Sequence, residues 1–216
     1  MFHKPKEFQS KLIQIYQDRC QSESFHYNQK QVTILKDFAK LERDLNKTRF
    51  PLISKPKKLG LYLYGSVGSG KSMLMDLFFN NIPNNKKQRI HFHNFMEYVH
   101  NEIHLWRKSK SAMHNSPLEH VAKKISQSTK LLCFDEFQVN DVADALILGQ
   151  LFLFLFKNNV FVVATSNRHI DDLYKGGIQR EKFLEFVELF KEKLDIIELS
   201  TTSDYRKEAI QSLKRT

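Results

Sequence analysis

Two cysteines, Cys20 and Cys133, are all that the 216-residue chain contains, and Cys133 lies inside an apolar run. So sparse a set excludes a disulfide framework, fits a reducing compartment, and leaves two isolated thiols that make no metal site. Glycine and proline are scarce as well, at 7 and 5. With 41% hydrophobic residues, that excludes a collagenous or low-complexity chain and fits a globular one. No apolar stretch reaches the roughly 20 residues that a spanning helix needs. The longest, Ala143 to Phe156, is broken by Asp144, Gly149 and Gln150 and reads as a buried core helix. Met1 to Glu7 lacks the apolar centre of a secretory signal. The expectation is a soluble, cytoplasmic protein.

Acidic residues are outnumbered, giving a net charge of +10. Residues 1–60 hold 13 Lys/Arg against 6 Asp/Glu, whereas residues 131–216 hold 11 against 14. A basic front half leaves nucleic acid or an anionic surface open as a partner. No aromatic-interleaved basic motif or recognition-helix pattern accompanies it, so lysine on solvated faces is the preferred reading.

What is present begins with 18 phenylalanines, enough to fill a core largely with rings. Phe8, Leu12, Ile15 and Tyr16 fall at helical spacing, as do Val32, Leu35, Phe38, Leu41 and Leu45. Asn28 and Gln31 have the spacing of a capping pair for the second of these helices. A Pro/Lys-rich connector follows, Pro51 to Lys58. Thereafter short apolar runs predict strands at Leu61–Tyr64, Ile90–Phe92, Leu131–Phe134, Val160–Ala164 and Ile196–Leu199. Helices are predicted after Ser72, over Phe95–Trp106, Pro117–Ser126 and Asp141–Phe156, and over Arg180–Leu194. Alternation of this kind implies a five-stranded parallel sheet covered on both faces. The predicted organisation is a helical leader and connector over residues 1–58, then a three-layer α/β core over 59–216.

Gly65-Ser66-Val67-Gly68-Ser69-Gly70-Lys71-Ser72 follows the strand Leu61–Tyr64 and opens a helix with Met73, the context a phosphate-binding loop requires. Glycines let successive backbone N–H groups curl toward phosphate, and the helix N-terminus adds partial positive charge. Lys71 is expected to neutralise β- and γ-phosphate charge, and Ser72 to ligate Mg²⁺. Asp135 and Glu136 end a buried strand 64 residues after Lys71. There Asp135 would hold Mg²⁺ and Glu136 would orient the attacking water. Val160 to Asn167 is another buried strand, ending in Asn167, placed to read the γ-phosphate or the lytic water, against the plain alternative of a turn-forming Asn. Gly176-Gly177-Ile178-Gln179-Arg180 leads into a helix, and Arg180 is either an arginine finger or an ordinary surface arginine.

Other clusters carry less. His91 and His93 alternate along a predicted strand but have no third ligand. His100 and His104 have the spacing of a zinc-protease pair, yet Asn101 stands where that motif needs Glu. Phe152, Phe154 and Phe156 read as a core stripe, and Cys133 has no environment that would activate it.

Taken together, these segments resemble the ZapE-type ATPase family of bacterial cell-division proteins and their mitochondrial relatives, within the AAA+ class. The matching stretches are Gly60–Gly65 running into the loop, Met73–Asp76, His91–Met96, Phe134–Val139 with Asp141–Ala145, Thr165–Arg168, Asp172–Tyr174, Gly177–Arg180 and Asp204–Lys207. The resemblance implies an AAA+-like ASCE core, Asn167 as sensor 1, and a homo-oligomer in which Arg180 acts in trans. It also implies a division-ring or membrane-protein partner. His169-Ile170 stands where the family tends to have prolines, and family members continue beyond the Asp204–Lys207 segment. The expectation is therefore a core without the family's C-terminal region.

The functional expectation is Mg-dependent ATP binding and hydrolysis. A GTPase would need a guanine-reading Asn-Lys-x-Asp, which the sequence lacks. A helicase-loader-type, DNA-associated ATPase and an ATP-binding adaptor with little turnover are the competing functions.

Overall fold

A computed structural model describes residues 5–22, 27–47, 57–109 and 116–199. The connector reading over 51–56 and the Asp204–Lys207 segment lie outside the described residues.

Two helices, α1 (Pro5–Ser22) and α2 (Gln29–Lys47), precede β1 (Gly60–Tyr64) and α3 (Lys71–Asn81). Then come β2 (Lys87–His91), α4 (Phe92–Lys108), α5 (Pro117–Ser128), β3 (Leu131–Asp135) and α6 (Val142–Lys157). The series ends with β4 (Phe161–Ser166), a 3-10 turn (Ile170–Asp172), α7 (Arg180–Lys193) and β5 (Asp195–Glu198). The five strands form one parallel sheet in the order β2-β3-β4-β1-β5. Because β1 lies beside β4 and not β2, the loops leaving β1 and β4 meet at the C-terminal edge. That is where open α/β sheets place ligands.

The apolar runs explain the central strands. Leu61 to Leu63, Leu131 to Phe134 and Phe161 to Ala164 are buried on both faces, as a covered parallel sheet requires. β2 lies at the edge and is polar, Lys-Gln-Arg-Ile-His, so its apolar signal is weak. It begins and ends earlier than the run Ile90–Phe92 predicts. Phe92, Phe95, Met96, Val99 and Ile103 share one buried helical face, and this 3–4 spacing draws Phe92 into α4. His91 therefore ends a strand while His93 lies on a helix, and the two do not share a strand face.

The N-terminal helices are docked on the core. Phe38 of α2 stacks on Phe78 of α3 with ring centroids 4.3 Å apart. Phe8, Leu12 and Tyr16 of α1 are buried with them. Each such side chain contributes about 1.5–3 kcal/mol relative to exposure. On the other face α6 packs against α5 and α7. Phe152 and Phe156 are buried there, whereas Phe154 is only half-buried, because residues two apart on a helix face different ways.

Four lysines at the N-terminal edge of the sheet close helix ends. Lys58 donates to the Lys191 and Leu194 carbonyls at the C-terminal end of α7, and Lys87 to those of Phe79 and Ile82 at the C-terminal end of α3. Lys86 reaches Gln127 at the end of α5, and Lys130 reaches Asn158 beyond α6. An ammonium group there satisfies orphan carbonyls and opposes the negative end of the helix dipole. Part of the basic excess thus serves the fold. Among the described residues, no helix is long and apolar enough to cross a membrane.

Candidate functional site

The loop between β1 and α3 is held from below. The Gly65 N–H donates to Ser166 O of β4 at 3.2 Å, and Gly70 caps α3 with φ of 93°, a left-handed conformation that favours glycine. No side chain caps α3, so its first N–H groups stay available for an anion. Lys71 is 7% exposed, and its ammonium folds back on the loop. It donates to Gly65 O and Ser66 O at 2.8 Å each and to Ser69 Oγ at 3.3 Å. Burial lowers its pKa below the ordinary lysine value of 10.5.

A cavity of about 360 Å³ opens above the loop, lined by Val67, Gly68, Gly70, Lys71, Ser72, Met73, Glu136, Thr165, Ser166 and Asn167. Residues from three separate segments, predicted from sequence to act together, share this wall. Gly65, Ser66 and Ser69 lie beneath it and hold Lys71.

Glu136 is exposed and sits in the left-handed region with φ of 53°. A non-glycine residue pays about 1–2 kcal/mol for that conformation, so its neighbours must enforce it. On one side Asp135 is gripped by Arg89, whose Nε donates to Oδ2 at 2.6 Å and Nη2 to Oδ1 at 3.0 Å. On the other side Phe137 N donates to Thr165 O at 2.7 Å, and Ser166 Oγ donates to Phe137 O at 2.8 Å. The Phe137 ring is buried among Tyr62, Phe92, Phe134, Phe152, Phe186 and Phe190.

Arg89 is one residue that sequence reasoning missed. Its Nη1 also binds Asp76 Oδ1 on α3, so one guanidinium joins α3, β2 and β3. Hydrogen bonding to Asp135 and then to Asp76 raises its pKa further above that of ordinary arginine. The available signal was a single arginine in a polar edge strand, and it becomes meaningful only once the β2–β3 register sets Arg89 against Cys133 and His91 against Asp135.

For Mg²⁺ the donor chemistry fits. The Ser72 hydroxyl lines the cavity, and the Asp135 carboxylate ends β3 nearby, both hard oxygen donors. Asp135 does not line the cavity, and both of its carboxylate oxygens accept from Arg89. Arg180 is not in the cavity wall either. Its guanidinium donates to Leu173 O and Asp171 O, both at 2.5 Å, closing the turn that leads into α7. Asn28 and Gln31 form half of a capping box. Asn28 Oδ1 accepts from Lys30 N at 2.8 Å, but the Gln31 carboxamide points to the loop and not back to Asn28. His100 pairs with Asp144 at 2.7 Å and not with His104. Cys133 is fully buried, which pushes its thiol pKa up.

A family model described as AFG1-like ATPase matches residues 10–215. The chain is 49% identical over 154 residues to Lactation elevated protein 1 homolog B of Danio rerio. It is 43% identical over 147 residues to Cell division protein ZapE of Escherichia coli (strain K12). Each match takes in 68% of this chain but 30% and 38% of the relative, so the chain spans about a third of the length of these curated relatives. Among solved structures, DnaI aligns with a TM-score of 0.54 at 19% identity, covering 83% of this chain and 87% of that one. AMPPCP-bound DnaA from Aquifex aeolicus aligns at 0.57 and 18% identity, covering 90% and 54%. At such identities the likeness is one of fold.

Proposed function

This chain belongs to the AFG1-like ATPase family, and from that premise we propose that it binds Mg-ATP over the loop Gly65 to Met73 and hydrolyses it. The observation that carries the reading is the convergence of Lys71, Glu136 and Asn167 on one cavity above a helix N-terminus.

On binding, the Lys71 ammonium exchanges its carbonyl partners for β- and γ-phosphate oxygens, and the loop amides cradle the same groups. Ser72 and Asp135 would hold Mg²⁺, which when bound would neutralise phosphate charge. Glu136 orients a water for in-line attack and accepts its proton, while Asn167 donates to the γ-phosphate. Arg180 acts from a neighbouring copy in a homo-oligomer, which requires that copy's guanidinium to leave the Leu173 and Asp171 carbonyls of its own turn. The work done with ATP is directed at a protein partner of the division or membrane machinery. The cell-division name of the bacterial relative supports that choice. The lysines committed to helix ends weaken the case for nucleic acid.

Calorimetry with Mg-ATP, paired with phosphate release, tests the reading. Lys71→Ala is expected to abolish binding. Glu136→Gln is expected to keep it while turnover falls about 10²- to 10⁴-fold. Equal turnover in Glu136→Gln and wild type would leave a nucleotide-binding adaptor as the function.

A further inference from the structure

The phosphate loop is also held from outside the sheet. Gln31, in the first turn of α2, donates from Nε2 to Ser69 O at 3.1 Å. Its Oε1 accepts from the Tyr16 hydroxyl at 2.7 Å, and the Tyr16 oxygen accepts from Asn28 N at 2.9 Å. The orientation of the carboxamide follows from this chain. The tyrosine oxygen already receives a proton from Asn28, so its own hydrogen goes to the amide oxygen, and the NH₂ end faces Ser69. Tyr16 is 1% exposed, and burial pushes its pKa up to about 12, so it stays a phenol donor at neutral pH.

The contact falls at the point where the loop turns into α3. Ser69 precedes the left-handed Gly70, and its hydroxyl receives the Lys71 ammonium. A Cβ at Gly70 would stand 2.6 Å from Gln31 Nε2, so the carboxamide fills the space a side chain would take. Were the Ser69–Gly70 peptide to flip, a carbonyl oxygen would face phosphate oxygens and the Gly70 N–H would leave the cradle.

We propose that Gln31 is a positioning residue for the phosphate loop: by holding the Ser69 carbonyl outward it keeps the loop amides facing the cavity, and through Tyr16 it makes α1 and α2 part of the nucleotide site. The inference rests on the nucleotide-binding reading for its consequence, though not for its geometry.

Two measurements on the full chain separate these. Amide hydrogen exchange over residues 65–72 without nucleotide reads the geometry alone. Gln31→Met is expected to speed that exchange several-fold while leaving α5 unchanged; unchanged loop exchange overturns the proposal even if no nucleotide binds to any form. Equilibrium binding of a fluorescent Mg-ATP analogue reads the consequence. Gln31→Met is expected to weaken it about 3- to 10-fold, the range for loss of a net hydrogen bond, with Tyr16→Phe smaller in the same direction. The double variant should be no worse than Gln31→Met alone, because Tyr16 acts through Gln31. Wild-type affinity in Gln31→Met, or losses that add in the double variant, would overturn the coupling. Absence of binding by the wild type would instead refute the ATPase reading.

Discussion

Replacing Arg89 by methionine keeps the aliphatic stem and removes the cation between two carboxylates. The side chains of Arg89 and Asp135 are 23% and 14% exposed, while Asp76 is 44% exposed. The two hydrogen bonds to Asp135 are charge-assisted and mostly shielded, and such bonds contribute about 1.5–3 kcal/mol net. A fully buried pair that loses one partner costs about 3–5 kcal/mol. Exposure of Asp76 lets water screen its share, so an overall loss of about 2–3 kcal/mol is expected. For a domain of this size that corresponds to a fall of about 4–12 °C in the thermal midpoint. Thermal unfolding by circular dichroism, without nucleotide, is the assay. Millimolar Mg²⁺ should recover part of the loss in Arg89→Met and do little for the wild type, because the freed carboxylates then gain a different cation. Arg89→Lys should recover less than half, since an ammonium cannot span both Asp135 oxygens. A midpoint within about 1 °C of wild type for Arg89→Met would refute the reasoning.

Arg180→Ala is expected to bind Mg-ATP normally and to lose about 10³- to 10⁵-fold in turnover. Mixing it with Glu136→Gln chains should restore phosphate release, because each supplies what the other lacks, and no recovery at any ratio would rule out action in trans. Nucleotide affinity should also fall in alkaline solution. Burial lowers the folded-state pKa of Lys71 below 10.5, so its charge is lost as pH rises through that lowered value. Above it, binding must take up a proton, and calorimetry in buffers of different ionisation enthalpy should show uptake that grows as pH rises.

The layered sheet was legible because β1, β3 and β4 are continuous apolar runs of four to six residues bounded by polar ends, too short for a buried helix such as α6. The phosphate loop was legible because its glycines sit at spacings imposed by backbone geometry. The place of Glu136 and Asn167 on the cavity wall was legible for a related reason: strand ends in a parallel sheet point to one edge. Arg89 and Gln31 were not found, because their roles depend on partners 46 and 38 residues away in the chain. Neither periodicity nor local motif encodes such distances. The first turn of α4 was hidden by His91-Phe92-His93, which alternates like a strand until Phe92 is counted with Phe95 and Met96. The lysines of the N-terminal edge looked like surface charge, since a side chain that reaches a helix carbonyl leaves no mark on the sequence around it.

Glu136 has a further consequence for how such a site fails. Its backbone is forced into an unfavourable twist by a guanidinium on one side and a ring sunk in a cluster of phenylalanines on the other. The aim of the carboxylate is therefore set partly by oily side chains that never meet solvent. Loosening of that interior, by heat, denaturant or a smaller residue at position 137, is expected to relax the strained twist before the sheet comes apart. With Glu136 in its proposed role, turnover would then fall in a protein that still looks folded.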